Sequence, residues 1–285
     1  MNKKLFLLIL SSLFLLYACE QQVDSAKSSF PSLQTKNVTL FEKSEQVRFE
    51  PNDGEDYFSD DEPTEAELNY FFNSVETGVQ WLDNSIIREI LVTLNQDNEL
   101  SDKIDLNIVK KGEEKTVLLN KLQKNYDEEL YKLKEGGYLG TVYSVETTYI
   151  GQRQNIITFS QVRNVYLGGP HGTYSTRYLN FDADKKTLLS LNDVFPRDNQ
   201  KKLKDLLWEN YKAKTTSTEN ENTFVSKEKF HISTEFYFSP DGINFVYAPA
   251  VLTPFEKGET TLQLYWADVD KIITPEYSWT MSSAK

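Results

Sequence analysis

The sequence predicts an α+β fold, antiparallel β-sheet hairpins packed against about three amphipathic helices. Three observations lead there. Apolar residues recur at helical spacing over 81–94, 117–133 and 203–211, and at alternate positions over most of the remainder. Helical and strand-like stretches are interspersed, and the strand-like ones come as hairpins. Aromatic residues make up 13% of the 285, which suits an ordered, sheet-rich globule and excludes the aromatic-poor composition of disorder.

The elements follow in chain order. Lys3 and Lys4, the apolar run 5–16 and Tyr17-Ala18-Cys19 have the layout of a secretory signal, too short for a spanning helix. Cys19 is the only cysteine and stands where the lipobox of a bacterial lipoprotein puts its acylated residue. Leu16 and Ala18 match that pattern, and Tyr17 is bulkier than usual at its position. The expectation is a signal peptide over 1–18 and a lipid, palmitate among its chains, on Cys19. The protein would then be anchored in the cell envelope, on the periplasmic or cell-surface face of its membrane. An ordinary cleaved signal with an incidental cysteine is the alternative. Residues 19–36 are polar and serine-rich, a flexible tether.

Residues 37–50 carry the β-branched and aromatic residues of a first strand or two. Between 51 and 67, Asp53, Glu55, Asp56, Asp60, Asp61, Glu62, Glu65 and Glu67 crowd together. Such carboxylates suit calcium, but Gly54 comes too early for an EF-hand loop and no glutamate closes it. The segment reads as a solvated acidic loop. Residues 68–75 suit a strand ending near Gly78, and Asp83 is placed as N-cap of the helix over 81–94. A second helix over 114–135 stops at Gly136-Gly137.

From Tyr138 the period is two, and 138–150 and 156–166 form a hairpin turning at Gly151-Gln152-Arg153. Gly168-Gly169-Pro170-His171-Gly172 then turns into a third strand, and 182–186 makes a further turn. A short strand and a helical turn occupy 188–195, a third helix 201–214 and a polar loop 215–222. Strands over 236–239 and 243–247 flank the turn Pro240-Asp241-Gly242. An extended crossing with two prolines, a last strand over 260–265 and a closing segment to 273 complete the fold.

Four of these stretches carry a family resemblance. They are Gly168-Gly169-Pro170-His171-Gly172 with Tyr178-Leu179-Asn180-Phe181-Asp182, residues 188–195 (LLSLNDVF), residues 236–243 (FYFSPDGI) and residues 248–255. In this order they resemble the domain of unknown function (DUF3298) that forms the C-terminal part of RsiV-like lysozyme-sensing anti-sigma factors. Residues 37–165 are similar to the companion domain that often precedes it, also seen before the catalytic domain of PdaC-like peptidoglycan deacetylases. The resemblance implies an N-terminal domain over 37–165, an RsiV-like domain over 166–273, a tail over 274–285 and an envelope location. The helix bundle and spanning helix of an anti-sigma factor are missing from the sequence. So is the Asp/His/His arrangement of a deacetylase.

Chemistry is limited by the parts at hand. With Cys19 committed to a lipid, no Cys/His pair is left, and no Gly-x-Ser-x-Gly elbow exists. The two histidines, His171 and His231, are too few for a His-rich metal centre, and one cysteine excludes a disulfide framework or a thiolate zinc site. A carboxylate pair for glycoside hydrolysis stays open, but no spacing singles one out among 43 acids. The expectation is a non-catalytic binding protein with no cofactor and no metal. Its candidate ligand-binding residues are Gly168, Gly169, His171, Gly172 and Tyr174, where glycines let a ligand approach the backbone. For His171 the plainer role is to hold its own turn.

Loss of 1–18 removes Lys3 and Lys4 and no acid, taking the formal charge from −12 to −14. That surface repels nucleic acid and attracts cations. Two partners are expected: a cationic lysozyme-type muramidase, which the acidic charge and the resemblance to lysozyme-sensing proteins together imply, or a cell-wall glycan stacking on exposed tyrosines and tryptophans.

Overall fold

The computed structural model describes residues 30–48, 65–96, 103–135, 140–167, 172–216 and 223–278. The expected signal peptide, Cys19, most of the tether and of the acidic loop, Gly136-Gly137 and the turn residues 168–171 lie outside these.

A mixed six-stranded sheet and a three-stranded antiparallel sheet carry the chain, each with its own helices, as the α+β reading expects. Strands β1 (Lys36–Arg48) and β2 (Glu65–Glu76) pair antiparallel. The acidic residues Glu65 and Glu67 therefore belong to β2 and not to a loop. Helices α1 (Gln80–Gln96) and α2 (Glu114–Lys134) follow, and β3 (Thr141–Arg153) returns beside β2. That junction is parallel, Leu68↔Thr141 to Phe72↔Val145, so the sheet is not built of hairpins alone. Gly140 opens it with φ +107, and a Cβ there would lie 2.7 Å from the Glu67 carbonyl oxygen. Only glycine fits so close to a neighbouring backbone.

Strands β4 (Ile156–Tyr166), β5 (Thr173–Asp182) and β6 (Thr187–Leu188) complete the first sheet in sequence order. The expected turn at Gly151-Gln152-Arg153 is corrected: all three are strand, and the chain reverses at Gln154-Asn155, with Gln154 at φ 52. Gly151 instead follows a bulge, where the β3–β4 register shifts between Tyr149 and Gly151. The boundary drawn between residues 165 and 166 falls inside β4, and the sheet runs unbroken through it into β5. Asp83 is not the N-cap of α1 but lies in its first turn. Its Oδ1 accepts from the Thr77 N–H at 2.8 Å and the Thr77 hydroxyl at 2.6 Å, fixing the entry to the helix.

The second unit holds α3 (Leu191–Val194), α4 (Arg197–Thr216), β7 (Phe236–Phe238), β8 (Gly242–Tyr247), β9 (Thr260–Tyr265) and α5 (Trp266–Val269). Helix α4 absorbs Thr215 and Thr216, read from sequence as loop. Thr215 stays helical by returning its hydroxyl to the Tyr211 and Lys212 carbonyls, at 3.1 and 2.9 Å. The described helices number five: the three long ones expected, and the two four-residue turns α3 and α5. None is long and apolar enough to cross a membrane.

Two cores result. On the first sheet, Leu68, Tyr70 and Phe72 of β2 and Tyr143 and Val145 of β3 pack under Ile90 and Leu91 of α1 and Leu118 and Leu122 of α2. Leu179 and Phe181 of β5 continue that face against Leu82 and Ile86. In the second unit, Leu203, Leu207 and Tyr211 of α4 pack on Phe245 and Leu262. Ile156 of β4 is buried in this second core. The guanidinium of Arg153 lies 4.2 Å over the ring of Trp266, and the two units meet again along β5.

Candidate ligand-binding groove

β5 alternates between two neighbours, because successive side chains leave a strand on opposite faces. Arg177, Leu179 and Phe181 face α1. Arg177 pairs with Glu89 at 2.8 Å and donates to the Thr93 hydroxyl at 3.1 Å. Tyr178 and Asn180 face the second unit. Tyr178 stacks on Tyr237 of β7 with ring centroids 4.7 Å apart, and Asn180 Nδ2 donates to the Phe236 carbonyl at 2.7 Å.

N-terminal to these contacts the two units enclose a groove of about 1230 Å³. One wall is β5 from Thr173 to Leu179, with Arg163 and Val165 of β4 behind it. The other is the segment 231–235, which leads into β7, with Tyr247, Ala248 and Glu259. Pockets for small molecules span about 300–1,000 Å³. This one is larger and open, the form of a site for an extended ligand.

Two carboxylates sit in it. Glu235 Oε2 accepts the Tyr178 N–H at 2.8 Å. Burial pushes the Glu235 carboxyl up, an effect that Tyr178 and Arg177 oppose and that Glu259 and Glu89 reinforce. Glu259 Oε1 is buried, and among the described residues nothing donates a hydrogen bond to it. The Tyr178 hydroxyl is pushed up to about 12, by burial first and then by Glu259, Tyr237 and Glu235. A buried acceptor with no donor costs about 1–3 kcal/mol, more when charged. The groove thus offers acceptors to a ligand that brings N–H or O–H donors, with Arg163 and Arg177 also in its lining. Among the described residues no three His, Cys, Asp or Glu side chains converge as metal ligands.

Of the residues singled out from sequence, Gly168, Gly169 and His171 lie outside the described residues. Gly172 and Tyr174 are both among the described residues and do different things. Gly172 lies tight on β4, where a Cβ would come 3.1 Å from the Val165 carbonyl oxygen. Tyr174 reaches toward the other unit: a Cβ on Gly258 would lie 2.9 Å from its hydroxyl. Tyr174 thus approaches the residue before Glu259, at the mouth of the groove. His231 lines the groove, while its carbonyl accepts from the Tyr247 hydroxyl at 3.0 Å.

Sequence reasoning passed over Tyr178, Glu235, Tyr237 and Glu259. One signal was present for Glu235, a single acid in the apolar and hydroxylated run 232–238 (ISTEFYF). An acid so placed is either paired or functional.

Comparison with known proteins finds a family model that matches one segment of the second unit. Residues 192–267 match the model of a family described as protein of unknown function (DUF3298), so the chain carries that domain there. The match is narrower than the 166–273 expected; it takes in the 231–235 wall and Glu259 but not β5. Two solved structures of DUF3298 family members share the fold. One, from Bacteroides fragilis NCTC 9343, is 19% identical with a TM-score of 0.54. The other, from Pseudomonas aeruginosa PAO1, is 12% identical with a TM-score of 0.57. Each alignment covers 86% of this chain and 96% of the other. No curated protein matches.

Proposed function

We propose, for a chain carrying a DUF3298 domain at residues 192–267, a non-catalytic binding protein of the cell envelope, held there by a lipid on Cys19. Its ligand is a cationic protein of the lysozyme type, taken into the groove between the two units. The observation that carries this reading is the buried, donor-less Oε1 of Glu259 beside Glu235. An acidic chain and the resemblance to lysozyme-sensing domains support it. Opposite charge speeds such an encounter more than it sets its affinity.

Calorimetric titration of the full chain in non-ionic detergent with a cationic lysozyme tests the proposal. Saturable binding that persists at moderate salt, and weakens in Glu259→Gln, is the expected result. Heat that vanishes with modest salt would reduce the attraction to screened surface charge. A second reading, a cell-wall glycan, draws on the stacked Tyr178–Tyr237 pair and the Ser and Thr lining of the groove. It predicts binding of neutral glycan fragments that salt leaves unchanged.

A further inference from the structure

Among the described residues the N-terminal half of β5 is a sheet edge that no strand covers. β4 pairs with the whole strand, from Val165↔Thr173 to Ile156↔Asp182, without a register shift. On the other side β6 pairs only with Phe181 and Asp182. The outward groups belong to the even-numbered residues. The Tyr178 N–H turns from β4 to Glu235 Oε2, and the Asn180 carbonyl accepts from the Leu189 N–H at 2.8 Å. With a period of two, Tyr174 and Thr176 present their N–H and C=O groups on the same edge. Among the described residues no strand pairs with them, and Thr173, Ser175 and Thr176 line the groove.

Edges of this kind invite a further strand, and proteins blunt them with charge, bulges or cover. Both other long edges here are blunted. β1 carries Lys36, Glu42, Lys43, Glu45 and Arg48, and its register shifts between Thr39 and Phe41. β9 is covered by α4, whose Asn210 Nδ2 and Lys214 Nζ donate to the Gln263 and Thr261 carbonyls, both at 3.0 Å. The edge of β5 has neither device. Thr173-Tyr174-Ser175-Thr176 is uncharged, free of proline, unbulged and rich in strand-forming residues.

We propose that this edge takes an extended segment of the protein partner as an added strand, with a Lys or Arg of that segment set against Glu235 and Glu259. The proposal rests on the reading of the groove as a protein-binding site and names how it binds. Main-chain hydrogen bonds to Tyr174 and Thr176 hold the segment, and side-chain pockets choose it. An ammonium or guanidinium brings the donors that Glu259 Oε1 lacks.

Selection of phage-displayed random linear nonapeptides on the full chain in non-ionic detergent tests it. The expected winners alternate β-branched residues and carry Lys or Arg at one fixed place. On adding a winning peptide, amide exchange at Thr176 slows at least about tenfold, as a new hydrogen bond requires. Thr176→Pro removes an N–H that β4 does not use, so the ladder survives while peptide binding falls by about tenfold or more. Replacing both carboxylates, Glu235→Gln with Glu259→Gln, weakens basic winners by a similar factor. Absence of winners, or winners that leave Thr176 exchange unchanged, overturns the proposal without recourse to any variant. Lysozyme binding equally to the natural chain and a folded Thr176→Pro overturns it while the binding function stands. Peptides that bind where lysozyme does not support strand addition and remove the muramidase as partner. Glycan fragments that bind the groove in place of peptides overturn it as well.

Discussion

The two ends of β5 meet different surroundings. At its C-terminal end Asn180 and Asp182 are 0% and 1% exposed, and every polar group has work. Asn180 accepts from the Thr158 hydroxyl and donates to Phe236, while Asp182 gathers Asn155, the Tyr277 hydroxyl and the N–H groups of Asp184 and Lys185. At its N-terminal end Thr173 and Tyr174 are exposed, and the strand borders open space. One strand thus carries the buried contacts between the units at one end and borders the groove at the other.

That contrast can be broken most severely at the fastened end. Asp182→Ala orphans several buried donors and is expected to cost about 3 kcal/mol in chemical denaturation, the range for stripping a buried, multiply bonded carboxylate. Tyr277→Phe, which removes one of those donors, costs about 1 kcal/mol in the same assay. At the open end, Thr173→Ala and Ser175→Ala change stability by no more than about 0.5 kcal/mol. A loss there as large as at Asp182 would erase the distinction between the halves.

Glu235 sharpens the contrast through pH. Its carboxyl is held above the ordinary carboxylate range by burial, so the native protein binds its proton to higher pH than the unfolded chain does. Its contribution to stability is greatest in acid and is lost as pH rises through the raised value. Glu235→Gln keeps an acceptor for the Tyr178 N–H and removes the charge. The variant is expected to melt above the natural protein at neutral pH, the gap closing toward about pH 4. A gap that widens in acid would reverse the assignment.

How far the sequence reveals this molecule depends on how local each feature is. The stripes of α1, α2 and α4 and the alternation of β4 and β5 were legible, since each is written within one element. The reversal after β3 was not: Gly151 and Gln152 have turn chemistry, but β3 pairs on to Arg153↔Ile156 and the bulge absorbs the glycine. The parallel β2–β3 junction was hidden because two helices separate its halves. The groove was hidden for the same reason. Tyr178, Glu235 and Glu259 stand far apart in the chain, and contacts across the units, from Asn180 to Phe236, Tyr178 to Tyr237 and Arg153 to Trp266, bring them together. Of the residues picked for their glycine-rich setting, Gly172 packs against β4 and Tyr174 lies on β5 with its hydroxyl close to Gly258.

The parallel junction also sets an order of events for the chain as it folds. β1 with β2, and β3 with β4 and β5, are neighbours in sequence and can zip up locally. Leu68↔Thr141 to Phe72↔Val145 must instead wait for α1 and α2 to be laid across the gap. Long-range pairings of this kind are slow, because loop closure precedes any reward from contact. The expected folding nucleus is therefore the late meeting of β2 with β3, at which Gly140 has to fit against Glu67. Until that encounter the β3–β5 meander stands alone with two open edges; β2 then closes the first along β3, while β6 closes the second only at Phe181 and Asp182.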